Sequence, residues 1–559
     1  TVGGLGNTGQ VEIGGDDTLR SASDISNDGT ISLSGLLEIT SVDALLTNNG
    51  GGRIALDGGR IEAGLNNEAD ARLEVSGTAS IAGNLENRGI IDKSNGAASL
   101  TVEGGTFHNW GRVTGSGAGR LAIHSAQIIL ESGSYVDGGH VDLIGEVLNG
   151  GELDFSRDTE LNGDLDNAES GLARVRANVD AAGFDVSNAG TFIVQDEGNG
   201  DLFNVGTLTN SHVFTIENEG SVQADAAINE AGAVLTIAGA LDAPLTNRAD
   251  GSVLLEGGQI TGALTNAGTL SGSGQLTGDL LNDGTASLAG AVSGAVTNNG
   301  SLRTEGDLSA GSVQNSGSLR VANGHRLSSG STVGNYGSMI VAGQVNAGVA
   351  NGAGADLTLN NGRITGAVTN DGQLTGNGHI GGALTNNGTA SISGSAGAVS
   401  NTGGLSTSGD LAVSQLTNDG QATVGAGHQL TAAGGVTNNQ TLTLNGNLQG
   451  DLRNSEDATT TLGPRSGISG DVVNDGTISG RATIGGALDN NGQATLGGSV
   501  GAVDNAGALT VDGRLDVASL NNSGEIGIGA DDQLRSQGDI RNSGTIALDG
   551  RLEVTGEGS

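Results

Sequence analysis

The amino-acid sequence predicts an all-β protein: a single-stranded right-handed parallel β-helix (β-solenoid) of about 29 coils, each of 15–22 residues. Three observations predict it. One Asn-containing phrase recurs at that spacing along the whole chain. Apolar and polar residues alternate around each copy. The composition supplies many small aliphatic residues and almost no aromatic ones, with 104 Gly and 2% Phe, Tyr and Trp together.

The phrase is an apolar residue, any residue, Asn, any residue, Gly, any residue, then alternating apolar residues. It reads ISNDGTISL around Asn27, VTNNGSL around Asn298 and LTNDGQATV around Asn418. VVNDGTI around Asn474, LNNSGEIGI around Asn522 and IRNSGTIAL around Asn542 repeat it. Asn188, Asn266, Asn315, Asn370, Asn386 and Asn490 stand at the same place. From Asn109 to Asn149 the distance is about two spacings. One coil there has lost its Asn.

Around Asn188 the alternating set is Val186, Asn188, Gly190, Phe192 and Val194. A period of two puts these on one face of extended segments, with Thr, Ser, Asp, Arg and Gln on the other. Tight Gly and Asn turns then link short strands. The unit is too short for a propeller blade or a helical solenoid repeat. One turn of a β-helix fits. Each coil alone exposes unpaired backbone, and stacking at about 4.8 Å pairs it with its neighbours.

Asn and Gly are expected to do different work. Asn tolerates the left-handed conformation that a sharp corner needs. Its amide both donates and accepts, so stacked Asn side chains form an internal hydrogen-bonded ladder. Gly two residues on permits positive φ or close approach of adjacent coils.

The spacing itself repeats. Asn7, Asn109, Asn210, Asn315, Asn418 and Asn522 stand about 103 residues apart. The segment NTGQVEIGGDDTLRSASDISNDGTISLSG at Asn7 matches NSGEIGIGADDQLRSQGDIRNSGTIALDG at Asn522. The expectation is one continuous β-helix over residues 1–559. Its super-repeats run over 7–108, 109–209, 210–314, 315–417, 418–521 and, partially, 522–559.

Composition narrows the class of protein. A net charge of −39 and much Gly also suit disorder, but Pro is limited to Pro244 and Pro464, and Lys93 is the only lysine. The chain has no Cys, which excludes disulfides, thiolate catalysis and Cys-ligated metals. No apolar run reaches a membrane span, so membrane insertion is not expected. Thr1-Val2-Gly3-Gly4 is no signal peptide, which points to a processed or trimmed start. The negative charge opposes nucleic acid and favours solubility and divalent cations.

No catalytic or cofactor-binding residues are expected, and no enzymatic activity. The 62 acidic residues are scattered. The densest pairs, Asp16-Asp17 and Asp531-Asp532, occupy one place in the super-repeat and are candidates only for weak surface Ca²⁺. His325 and His428 stand where Asp17 and Asp532 stand in other copies, as solvated decoration rather than catalysts. His108, His124, His140, His212 and His379 make no metal-ligand spacing. An ice-binding face would need Thr pairs in register on every coil, and the run around Thr459–Thr461 reads as isolated.

These motifs resemble the shafts of large bacterial exoproteins, namely filamentous haemagglutinin-like two-partner-secretion adhesins and autotransporter passengers. The resemblance covers essentially the whole chain. It implies export past an outer-membrane partner, a place outside the cell or on its surface, and roles in adhesion, aggregation or biofilm. Neither that family's amino-terminal secretion cap nor a membrane barrel is visible in the sequence. Self-association and surface ligands are the expected partners.

The leading expectation is a structural shaft in an adhesin or fibre. An alternative is a subunit of a homopolymeric filament or sheath joined end to end. A third is a polysaccharide-active β-helix enzyme. That reading would need a surface groove holding acids on adjacent coils, and none is expected.

Overall fold

A coil has three strand stretches, kept short where a Gly, Asn or Asp corner interrupts the apolar alternation and merged elsewhere into one long strand, as in Ile90–Asn109 and Ser301–Asn315. The coil of Asn27 is representative. Ile25–Asn27, Thr30–Leu33 and Leu36–Ile39 are its strands, and the chain then enters Leu45–Asn48 of the next coil. Pairing between coils is parallel and in register, with Ile25 beside Leu46, Asn27 beside Asn48, Ile31 beside Ile54 and Leu37 beside Ile61. Three parallel sheets result. The first ends in the recurrent Asn, and the second follows the Gly. The third closes the coil.

A computed structural model describes the chain except residues 116–117, 138, 196–201 and 557–559. Among the described residues there is no helix, and about 30 solenoid turns succeed one another at roughly 18-residue spacing. The chain forms two compact units, Thr1–Gly294 and Ala295–Ser559.

The first unit has a core of aliphatic rows. One row runs Leu33, Leu56, Val75 through the second sheet. Its next member is Lys93, 1% exposed, whose Nζ donates to the Ala118 carbonyl at 3.1 Å. Further on, Phe192 and Phe214 face each other on neighbouring coils with ring centroids 4.8 Å apart. The second unit is packed almost wholly by Leu, Val, Ile and Ala, with Met339 in the row between Leu319 and Leu357. Thin coils leave little width for rings, so small branched side chains stacked in register replace them.

The left-handed role expected of the recurrent asparagines is not what the structure shows. They close strands, as in Val436–Asn438 and Leu488–Asn490. The described non-glycine residues with positive φ are instead Asp70, Glu219, Asp250 and Asn361. An extended Asn aims its side chain inward, where a left-handed one would leave the strand early.

Candidate functional site

The recurrent asparagines stack into a column inside each unit, unbroken in the second and interrupted by Leu130 in the first. In the second unit the column starts at Asn298, which donates through Nδ2 to Oδ1 of Asn315 at 2.6 Å. Asn315 donates to Asn335, Asn370 to Asn386, and Asn386 to Asn401, each at 2.7 Å. The same bond joins Asn418 to Asn438, Asn474 to Asn490, and Asn490 to Asn505 at 2.7 Å. Asn522 donates to Asn542 at 2.6 Å, and Asn542 is exposed. In the first unit Asn27 donates to Asn48, Asn188 to Asn210, and Asn266 to Asn282.

Every one of these bonds points the same way, from lower to higher residue number. Most of these amides also close their own corner. Asn418 Nδ2 lies 3.1 Å from the Gly420 carbonyl and 2.9 Å from the Thr441 carbonyl of the next coil. The asparagine thus gives a second donor to a corner carbonyl that already accepts a backbone bond, as Gly420 does from Thr441. A buried polar group left unpaired would cost about 1–3 kcal/mol.

The Gly two residues on serves by closeness. A Cβ on Gly420 would lie 2.3 Å from the Gly403 carbonyl oxygen, and one on Gly524 2.1 Å from that of Gly507. Those same carbonyls accept from Gln421 and Glu525. A side chain there would occupy the path of the bond that joins the coils.

The first unit carries the gap. Asn109 is in register with Leu130, and Leu130 with Asn149. Asn109 Nδ2 is left with the Gly111 carbonyl, and Asn149 Oδ1 accepts from the Gly151 backbone instead of a side chain. The hydroxyl of Ser134, at the corner of that same coil, is buried without a hydrogen-bond partner.

The calcium candidates bond to backbone, Asp17 within its own turn and Asp532 on the neighbouring coil. Asp17 Oδ2 accepts from the Gly14 backbone at 3.2 Å, and Asp532 Oδ1 from Gly513 at 2.7 Å. Their neighbours Asp16 and Asp531 are exposed. In the matching turn, His428 donates its backbone N–H to Gly425, as Asp532 does to Gly529. Among the described residues no three His, Asp or Glu side chains converge as metal ligands.

Two expectations are corrected. Thr459 and Thr461 are not isolated: Thr441 and Thr443 flank them on one coil, and Thr477 and Ser479 on the next. Coils distant in sequence are neighbours in space. A groove with acids on successive coils also exists, in the first unit. Its volume is about 490 Å³, and Arg120, Asp142, Thr159, Glu160 and Asp180 line it. It opens where, among the described residues, no strand pairing joins Val141–Ile144 to Thr159–Glu160. Arg120 spans the opening, with Nε on Asp142 at 2.6 Å and Nη2 on Thr159 at 2.7 Å. Its Nη1 donates to the Asp158 carbonyl. Glu160 is in register with Asp180 and exposed. Burial pushes the Asp142 carboxyl above its ordinary range, against the opposing pull of Arg120.

No protein-family model matches the chain, and no curated protein matches it.

Proposed function

We propose that this chain is a structural shaft in a large secreted or surface-exposed bacterial adhesin or fibre, exported past an outer-membrane partner. The carrying observation is the amide column from Asn298 to Asn542, bonded in one direction, with a close Gly at most of the two-residue corners and Gln440 in that place after Asn438. Such a column joins every coil to the next through side chains as well as backbone, and resists pulling along the axis. A solenoid whose surface is acidic and whose lysine is internal also suits life outside the cell, where solubility and resistance to proteases matter. The shaft works without a resident cofactor and performs no catalysis.

The test is electron microscopy of the purified chain together with single-molecule stretching. Separate stiff rods, with rupture force lowered by Asn418→Ala, are the expected result. Long periodic fibres would favour the homopolymer instead. A flexible coil would sink both.

One observation favours the enzyme reading, the groove with Asp142, Glu160 and Asp180. In that reading Asp142, whose carboxyl burial pushes above its ordinary range, is the acid and Glu160 the base of a glycosidase. Release of reducing ends from a polysaccharide, abolished in Glu160→Gln, would establish it. No release from a broad substrate panel would remove it.

A further inference from the structure

In the second unit, charge is excluded from one long surface. On the outer side of the second sheet, the residue between two inward apolar positions is Thr or Ser in unbroken register, from Thr358 through Thr375, Thr443 and Ser479 to Thr510. The next column outward carries only Gln, Thr and Gly from Gln373 to Gln493. Charge returns at its ends, with Asp356 before and Glu525 after, and along its edges, at the Arg481–Asp512 pair beside Ser479 and Thr510 and at the corner residues Asp371 and Asp419. In a chain of net charge −39, that exclusion is a positive feature of the surface.

The hydroxyls are mostly unused by the protein. Thr358 and Thr375 meet at 3.3 Å, and Ser406 donates to the Ala390 carbonyl. Ser391, Thr423, Thr443 and Ser479 have no protein partner. Repeated at the coil spacing of about 4.8 Å, they present a lattice of groups that both donate and accept. Where Gly404 leaves room between Gln373 and Gln421, the face dips into an open trough of about 270 Å³. That is below the usual size of an enclosing ligand pocket, about 300–1,000 Å³. It suits a chain passing over the surface more than a small molecule held within it.

We propose that this face binds an uncharged polysaccharide laid along the sheet. A neutral polyhydroxyl chain offers the complementary donors and acceptors, and needs no charge to be recognised. No aromatic ring provides a stacking platform, so each coil contributes weakly and the contacts add along the strand. Long chains are therefore bound and short oligosaccharides are not. The inference rests on the extracellular reading for where such a ligand is met. The binding itself is measurable in solution, whether or not the chain is a shaft.

The experiment is affinity electrophoresis through dextran and xyloglucan, with polygalacturonate as the anionic comparison and sedimentation with cellulose alongside. The parent chain should be retarded by at least one neutral polymer and not by polygalacturonate. Gln421→Glu with Thr441→Asp should weaken retention at least about tenfold, with an unchanged circular-dichroism spectrum and melting temperature. These positions are exposed, so folding is preserved. A charge pair on the third sheet, Gln449→Glu with Gln429→Glu, should leave retention intact. Equal retention of parent and face variant would overturn the proposal. So would retention by no neutral polymer, whether accompanied by inhibition of ice recrystallisation or by self-association that the face variant abolishes.

Discussion

Asn109 and Asn149 belong to one internal column, and Leu130 stands between them in register with both. The ladder tolerates a leucine because each flanking asparagine falls back on its own corner, Asn109 on the Gly111 carbonyl and Asn149 on the Gly151 N–H. The leftover defect is Ser134, whose hydroxyl is buried and unpaired. Ser134→Ala should therefore stabilise the first unit by up to about 1 kcal/mol, measured by denaturant unfolding. A loss above that size would show that the hydroxyl has a partner.

The column's interior can be tested by charge. In Asn418→Leu, neighbouring amides lose one donor and one acceptor, at a cost of about 1–3 kcal/mol. Asn418→Asp keeps the shape but sets a carboxylate against Oδ1 of Asn438 and the carbonyls of Gly420 and Thr441. It should cost more than Leu at pH 7. Its carboxyl will have a raised folded pKa, so the cost should shrink as the pH falls through that raised value and level off below the unfolded value of about 3.9. Equal costs at pH 3 and pH 7 would contradict the arrangement.

Close approach of coils makes a sharper prediction. Gly420→Ala places a methyl 2.3 Å from the Gly403 oxygen and should cost about 2–4 kcal/mol. At Gly527 nothing lies within 4 Å of an added Cβ. Gly527→Ala should be neutral or slightly stabilising. Melting temperatures of the two variants, side by side, decide the point.

Two carboxylates in the first unit should respond to pH with opposite sign. Glu74 lies between Arg53 and Arg72, and the Arg53 hydrogen bond holds its carboxyl below the ordinary range. The stability it contributes is present above its unfolded pKa of about 4.3 and lost as the pH falls through the depressed folded value. Glu74→Gln should thus destabilise at pH 7 and be silent near pH 2. Asp142 is raised by burial, so its favourable contribution is present below about 3.9 and lost as the pH rises through the raised value. Asp142→Asn should gain on the parent between pH 3 and pH 7. Parallel slopes for both variants would refute the assignment.

Lys93 permits a chemical test. An amine-reactive reagent should modify the α-amino group of the folded chain and leave Lys93 untouched, because its Nζ is enclosed and bonded to Ala118. Peptide mapping should find Lys93 labelled only after denaturation. Labelling under native conditions would mean that the coil around it opens readily.

Much of this molecule can be read from its sequence, for a physical reason. In a solenoid the residues that touch are separated by one nearly constant interval, so a one-dimensional repeat reports three-dimensional neighbours. The place of Asn418 or Asn522, the missing member between Asn109 and Asn149, and the inward set around Asn188 all follow from period and alternation. Tertiary structure decided what depends on distances across coils. It set the single direction of the amide bonds, and made Gly420 necessary for closeness where φ alone would have allowed alanine. It put Lys93 inside. It also joined Thr443, Thr461 and Ser479 into one face and opened the groove at Arg120. None of these lies within a single coil, and a repeat read coil by coil has no view of the gaps and surfaces that stacking creates.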